Sequence, residues 1–280
     1  MKILFISSGN SKMGLSPIVS NQAESLRRLG LEVDIFTVKG KGLKGYLISL
    51  LRLNYFLMRN DYQILHAHYS LSAFVASCTY RRLPLIVSLM GSDAQMGYLF
   101  KLATQFFSRF CWDKIIIKSL RMNENLRLKS FQVLPNGVDI IAFHPSDRRE
   151  ACSKVGFNPQ NTNIIFMSDP NRFEKNFQLA ESCIALLRQF ESFDFHVIYN
   201  VENKIIPYYL NASDILISTS LWEGSPNIVK EAMACNTCVV CTDVGDVKWL
   251  FGETPGYFLT DGTVEDTVKV HKKVEFHKFN

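Results

Sequence analysis

Apolar residues fall along the chain in short runs, separated by longer stretches in which they recur every three or four positions. The runs at 3–6, 33–38, 64–66, 85–89, 115–117 and 132–134 have the length and β-branched content of buried strands. The stretches at 20–29, 46–58, 70–81 and 98–111 carry helical spacing. Strands that alternate with helices are joined by right-handed crossovers, which give a parallel sheet covered on both faces. Pro135-Asn136-Gly137-Val138-Asp139 is turn chemistry, and the polar run 146–150 follows it. The alternation then restarts, with strands at 164–167, 195–199, 215–218 and 239–242 and helices at 176–190, 205–210 and 226–234. The pattern predicts an α/β protein of two doubly wound, Rossmann-like domains facing a cleft. The first takes residues 1–140 and the second, more compact one residues 141–280. Open sheets of this kind hold ligands beyond the carboxyl ends of their strands.

Composition narrows the picture. A chain of 280 residues, 47% hydrophobic and 20% charged, has ample material for a core. No apolar run is long enough to span a bilayer, and the first nine residues read as a strand rather than a secretory signal. Seven cysteines, an odd number in mostly apolar contexts, point to reduced thiols in a cytosolic protein. Cys235, Cys238 and Cys241 have a spacing that suits zinc, but no nearby His or Cys completes four ligands, and core packing is the favoured outcome. Residues 1–140 carry 18 basic and 8 acidic side chains, and the remainder 13 and 18. A basic first half suits an anionic partner such as a phosphorylated lipid, a membrane surface or a nucleic acid; it suits a plain solvated surface equally well. Residues 98–112 mix four phenylalanines with Lys101 and Arg109, and residues 46–58 lie beside Lys44 and include Arg52. Each is either a helix on a membrane surface or an ordinary core helix.

The chemistry concentrates at 223–233. Residues 215–218 form a strand, 219–225 the loop at its carboxyl end, and Pro226 is a favoured first helical residue with Ser225 as the cap. The helix N-terminus then offers free N–H groups to an anion, as of a phosphate. Glu223 on the loop and Glu231 inside the helix repel phosphate and are better matched to the hydroxyls of a ribose or sugar. Taken alone, the same residues also serve as a cap and an internal ion-pair partner.

Glu223 and Glu231, with seven residues between them and followed by Ala232-Met233-Ala234-Cys235, resemble the signature of the bacterial retaining glycosyltransferases of family four. The segments Val239–Val247, Leu134-Pro135-Asn136-Gly137-Val138-Asp139 with Phe143-His144-Pro145, and Asn211-Ala212-Ser213-Asp214 resemble further family motifs in the family's order. Leu221-Trp222-Glu223-Gly224-Ser225-Pro226-Asn227 is similar to the branch that builds surface polysaccharides. The resemblance implies a GT-B-like fold and transfer of a hexose-type sugar from a nucleotide-diphosphate sugar to a glycan or lipid-linked acceptor. It implies Glu231 at the nucleotide ribose and Glu223 near the donor sugar and its phosphates. The backbone of Gly224, Ser225, Pro226, Asn227 and Ile228 would hold sugar hydroxyls or the diphosphate. Lys175 and, at a shorter spacing than usual, Arg172 would neutralise the diphosphate as it leaves. Gly14, in the loop after the first strand, lets the backbone approach donor or acceptor, and His68, Tyr69 and Asp93 fall on the acceptor side, with His68 and Tyr69 favoured at the cleft over His66.

Three departures from the family pattern stand out. Met90 occupies the place where the family often has a histidine facing the donor sugar, the segment between Val197 and Ile205 is short, and the chain ends soon after Leu259. The expectation is a shortened second domain whose tail, 271–280, does not supply the family's crossover helices. No aspartate–any–aspartate motif stands at a strand end, and the resemblance implies transfer without metal or cofactor and with retention at the anomeric carbon. The expected setting is the cytoplasm at the inner face of the cell membrane, with peripheral contact to an anionic membrane and no nucleic acid bound. The alternatives are a nucleotide-sugar binder without turnover and a sugar-nucleotide epimerase. No Gly-x-Gly-x-x-Gly follows the first strand, which argues against a nicotinamide enzyme.

Overall fold

The computed structural model describes residues 1–10, 14–40, 42–80 and 82–269. The chain divides into two compact units, Met1–Pro135 and Asn136–Asn280, within the Pro135-Asn136 turn.

The first unit runs β1 (Lys2–Ser8), α1 (Pro17–Arg28), β2 (Glu32–Val38), α2 (Gly42–Arg59), β3 (Ile64–His68), α3 (Ser70–Ser77), β4 (Leu85–Ser88), α4 (Tyr98–Phe110), β5 (Lys114–Ile117), α5 (Leu120–Leu126) and β6 (Gln132–Val133). Its six strands are ordered β2-β1-β3-β4-β5-β6, and every pairing is parallel. Alternation along β1 explains the two cores. Leu4 and Ile6 join Leu53 and Leu57 of α2 and Ala73 and Val75 of α3 on one face. Ile3 and Phe5 meet Val19 and Ala23 of α1 on the other. The chain leaves β1 toward β2 on one side and β3 lies on the other, so the crevice of this sheet opens between the carboxyl ends of β1 and β3. Ser7 and His68 stand there, in the row beyond the paired Ile6 and Ala67.

The second unit runs α6 (Arg148–Val155), β7 (Asn163–Phe166), α7 (Phe177–Leu187), β8 (Asp194–Val197), α8 (Ile206–Ala212), β9 (Ile215–Ser218), α9 (Asn227–Ala234), β10 (Cys238–Thr242), α10 (Val247–Phe251) and β11 (Tyr257–Thr260). Its sheet is ordered β11-β10-β9-β7-β8, again parallel throughout, with the crevice between β7 and β9. Leu216, Val239 and Cys241 pack into one core with Cys235, whereas Ile215, Ile217 and Val240 pack into the other, with Cys238 against it. Cys238 and Cys241 are three positions apart on a strand of period two, so they point to opposite faces and cannot share a ligand.

Several elements differ from the pattern's expectation. The helix expected over 70–81 ends at Ser77, where the N–H groups of Cys78 and Thr79 reach back three residues, to Val75 and Ala76, and tighten the last turn; position 81 is outside the described residues, as is the tail 271–280. The polar run 146–150 opens α6. Asp147 caps it by accepting from the Glu150 N–H at 2.8 Å, a capping spacing visible in the sequence. The short helices α5 and α10 and the strand β11 were not expected from the pattern; β11 owes its place to pairing with β10, from Val239–Tyr257 to Thr242–Thr260.

The inner stripe of α2 should carry its attachment. Leu53 is fully buried whereas Leu51 is 64% exposed. Leu53→Ala is expected to cost about 2–5 kcal/mol of stability, and Leu51→Ala about 0.5 kcal/mol or less. Urea unfolding followed by circular dichroism measures both, and equal effects would overturn the assignment of the two faces.

Candidate functional site

Polar groups gather at the crevice of the second sheet. After β7 the chain makes a single 3-10 turn, Phe173–Lys175, and Asn176 takes a left-handed conformation (φ 49°) that turns the chain into α7. This sets Lys175 against the loop that follows β9, where its ammonium pairs with Glu223. Both partners are largely buried, which distinguishes the pair from a surface ion pair. The Ser220 hydroxyl donates to the same Glu223 oxygen at 3.0 Å. Thr219 reaches the carbonyls of Lys175 and Asn176 at 3.1 and 2.9 Å, and the Leu221 N–H donates to the Glu174 carbonyl at 2.9 Å. The two loops are therefore stitched together through backbone as well as side chains.

Pro226, not Ser225, stands at the cap of α9, and no side chain caps the helix. The Ser225 hydroxyl instead donates to Asp246 Oδ2 at 2.7 Å and accepts from the Lys230 ammonium at 2.8 Å. This corrects the expected cap: a buried Asp246–Ser225–Lys230 chain uses the hydroxyl that would have reached the helix amides. Lys230 also donates to the Asn136 carbonyl at 2.7 Å, and the Asn136 side chain donates to Asn227 Oδ1 at 3.3 Å. The turn at Asn136 is thus anchored to the first turn of α9, and the leading N–H groups of the helix have no side-chain acceptor. Gly245 (φ 59°) lets its loop close on this segment, since a Cβ there would lie 2.8 Å from the Gly224 carbonyl oxygen. Gly224, Ser225 and Pro226 are buried, whereas Asn227 is half-buried and Ile228 packs against the core.

Glu231 is half-buried on α9, and its carboxyl accepts no hydrogen bond among the described residues. Burial raises its pKa from the usual 4.5 to about 7, with the Lys230 ammonium partly opposing the rise. Arg172 is not joined to Glu223: its exposed guanidinium is paired with Glu174. The structure therefore brings Lys175 and Glu223 together and places the 224–228 backbone beside them, but it holds Arg172 in a local pair at the edge.

In the first unit, His68 is buried with neither ring nitrogen hydrogen-bonded to a described residue. It stacks on His66 at 4.4 Å, and His66 Nε2 meets the Ser88 hydroxyl at 2.8 Å. Burial, the neighbouring His66 and the Lys118 ammonium hold His68 well below the usual imidazole range, so it is neutral. Tyr69 caps α3 in a strained conformation (φ 71°). Asp93 accepts from the Ser70 N–H and hydroxyl with one oxygen and from the Met90 N–H with the other, at 3.1, 2.5 and 2.6 Å. One oxygen is committed to the start of α3 and the other to the loop after β4, which makes Asp93 a positioning residue. Gly14 has φ 76° with open space about a Cβ, so its conformation, rather than crowding, calls for glycine.

These features agree with known proteins. Residues 163–273 match Glycosyl transferases group 1. The chain is 26% identical over 216 residues, 68% of its length, to TuaC of Bacillus subtilis (strain 168), named as a candidate teichuronic acid biosynthesis glycosyltransferase, and spans 55% of that relative. Sucrose-phosphate synthase from Thermosynechococcus elongatus superposes with a TM-score of 0.80 at 14% identity, covering 98% of this chain and 90% of that one. Anabaena HepE in complex with UDP and glucose gives 0.75 at 16% identity, covering 99% and 91%. The fold is that of the GT-B glycosyltransferases.

Within the matched stretch, several residues that build the site carry no motif signal. Ser220 and Thr219 precede the Glu223 motif and look like ordinary strand-end polar residues. Lys230 and Asp246 sit inside quoted motifs, but nothing in their spacing says that Ser225 joins them. The raised Glu231 pKa gives a test of its burial. The folded state holds its proton up to about pH 7 and the unfolded chain releases it near 4.5, so this group's contribution to stability falls as pH rises between those values. Glu231→Gln is expected to raise the thermal midpoint at about pH 8 and leave it nearly unchanged at about pH 4. Differential scanning fluorimetry measures the two gaps, and an equal gap at both pH values would sink the idea.

Proposed function

We propose that the chain is a glycosyltransferase that moves a hexose-type sugar from a nucleotide-diphosphate sugar to a glycan or lipid-linked acceptor in surface polysaccharide synthesis. The observation that carries this is the buried Lys175–Glu223 pair beside the uncapped start of α9, at the crevice of the group 1 domain. The leading N–H groups of α9 and the Lys175 ammonium receive the diphosphate, which gains negative charge as it leaves. Arg172 joins them by exchanging its exposed Glu174 partner for phosphate, a small cost for an exposed pair. Glu223, neutralised by Lys175, is left to accept from a sugar hydroxyl, and Glu231, with no partner of its own, accepts the ribose hydroxyls.

In the retaining reaction the acceptor oxygen bonds to the anomeric carbon on the face from which the diphosphate departs. The carbon–oxygen bond of the donor breaks with its electron pair going to the diphosphate, and the acceptor proton moves to a diphosphate oxygen. The positive charge comes from Lys175, Arg172 and helix amides, and the reaction takes no cofactor and no metal. The setting is the cytoplasm at the inner face of the cell membrane, where a lipid-linked acceptor resides. The sealed His68 and the committed Asp93 favour a second reading, in which the chain binds nucleotide sugar without turnover.

Lys175→Ala is expected to lower kcat by roughly 10²–10³. Glu231→Ala should weaken donor affinity roughly tenfold to hundredfold, the loss of hydrogen bonds to a charged group. In the parent, affinity should rise with pH through about 7 as Glu231 ionises, and Glu231→Gln should flatten that rise. Calorimetric titration with nucleoside diphosphates and their sugars, followed by product analysis with retained anomeric configuration, checks the set. Binding unchanged by both Glu231 variants would remove that residue from the site, and binding without transfer or hydrolysis would select the second reading.

A further inference from the structure

The face of the first sheet covered by α2, α3 and α4 ends in an apolar surface that the fold leaves uncovered. On α2, Leu43, Leu47, Leu51, Tyr55 and Met58 recur every three or four positions, and each is more than half exposed. The buried stripe of the same helix, Ser49, Leu53 and Leu57, is turned to the core, so the exposed stripe faces directly away from the sheet. On α4, Tyr98, Leu99, Phe106 and Phe110 are likewise more than half exposed. Both helices pack against α3, on the same side of the sheet, so the two stripes look outward together. A soluble surface scatters single apolar residues, whereas here two apolar stripes lie on either side of α3 on one layer of helices.

The charges around the patch say what covers it. Lys44, Arg52 and Arg59 flank the stripe of α2, Lys101 and Arg109 lie on α4, and neither helix contains an Asp or Glu. A second copy of this chain would bring basic residues against basic residues, whereas an anionic lipid surface accepts both the aromatic and aliphatic side chains and the cations. Arg59 lies over the Tyr55 ring at 4.4 Å and Arg109 near the Phe110 ring at 5.8 Å, so each cation is held beside the apolar group that would enter the interface. No helix among the described residues is long and apolar enough to cross a membrane. We propose that α2 and α4 together form a docking surface that lies on an anionic membrane, with their aromatic and aliphatic side chains in the acyl boundary and their basic residues among the headgroups. The proposal deepens the reading of a lipid-linked acceptor in its partner, but it rests on this surface and not on the transfer chemistry.

The test is co-sedimentation of the full chain with vesicles of phosphatidylcholine alone and of phosphatidylcholine with phosphatidylglycerol. The parent should pellet with the anionic vesicles, remain in solution with the neutral ones, and release as salt is raised. Leu47→Ser with Leu51→Ser and Phe106→Ser, and separately Arg52→Gln with Arg59→Gln, should each lower the partition about tenfold or more. All five positions are exposed, so both variants should keep the parent's thermal midpoint. No binding to anionic vesicles, or binding unchanged in both variants, overturns the proposal. A dimer in sedimentation velocity that the serine variant abolishes, without vesicle binding, assigns the surface to a second copy instead. A thermal shift with UDP is read on the same samples: its absence counts against the donor reading and leaves the vesicle result standing.

Discussion

The largely buried pair of Lys175 and Glu223 is the interaction on which the site in the second unit depends. In a parallel sheet whose strand order reverses, the loops leaving β7 and β9 part company, and nothing in the sheet ladder holds them together. Here a lysine and a glutamate from those two loops meet, and Ser220, Thr219 and the Leu221 N–H close the remaining gaps. Burial makes the pair a commitment, since removing one partner leaves the other charge in a poor solvent. The same burial keeps the loop after β9 in the shape that presents the first turn of α9.

A second chain of polar contacts sets the other wall. Asp246, Ser225, Lys230 and the Asn136 carbonyl form one connected path through the start of α9. It consumes the one hydroxyl that could have capped the helix, and it ties three separate loops to that helix. Leaving α9 without a side-chain cap has a cost in stability, and it leaves the leading amides of the helix unclaimed by any side chain of the described residues. The first unit spends its polar residues differently. His66 and His68 stack in the crevice between β1 and β3, Asp93 is used up in holding the loop after β4, and the strongest unspent feature is the apolar and basic outer surface of α2 and α4.

Much of the fold was legible in the sequence because buried parallel strands and amphipathic helices write periodic patterns. The runs at 3–6, 33–38 and 215–218 are strands, and the stretch at 46–58 is helical, as their spacing predicts. Short elements were not legible. β11 has four residues and exists by pairing with β10, and α5 and α10 have seven and five, lengths at which packing rather than propensity decides. α6 was missed for a different reason, since its capping spacing was there to be read.

The sequence alone determined the motif order, the seven-residue interval between Glu223 and Glu231 and the charge imbalance between the halves, because these are properties of adjacency along the chain. Only the tertiary structure decided which groups are spent and which remain free. It paired Lys175 with Glu223 and Arg172 with Glu174, took Ser225 away from the helix cap, committed Asp93 and sealed His68. It also turned one stripe of α2 to the core and left the other in water, where the sequence allowed either a core or a surface helix. The physical reason is the same in each case: hydrogen-bond capacity and apolar area are consumed by neighbours in space, and a residue's neighbours in space are fixed by the sheet order, which no local pattern encodes.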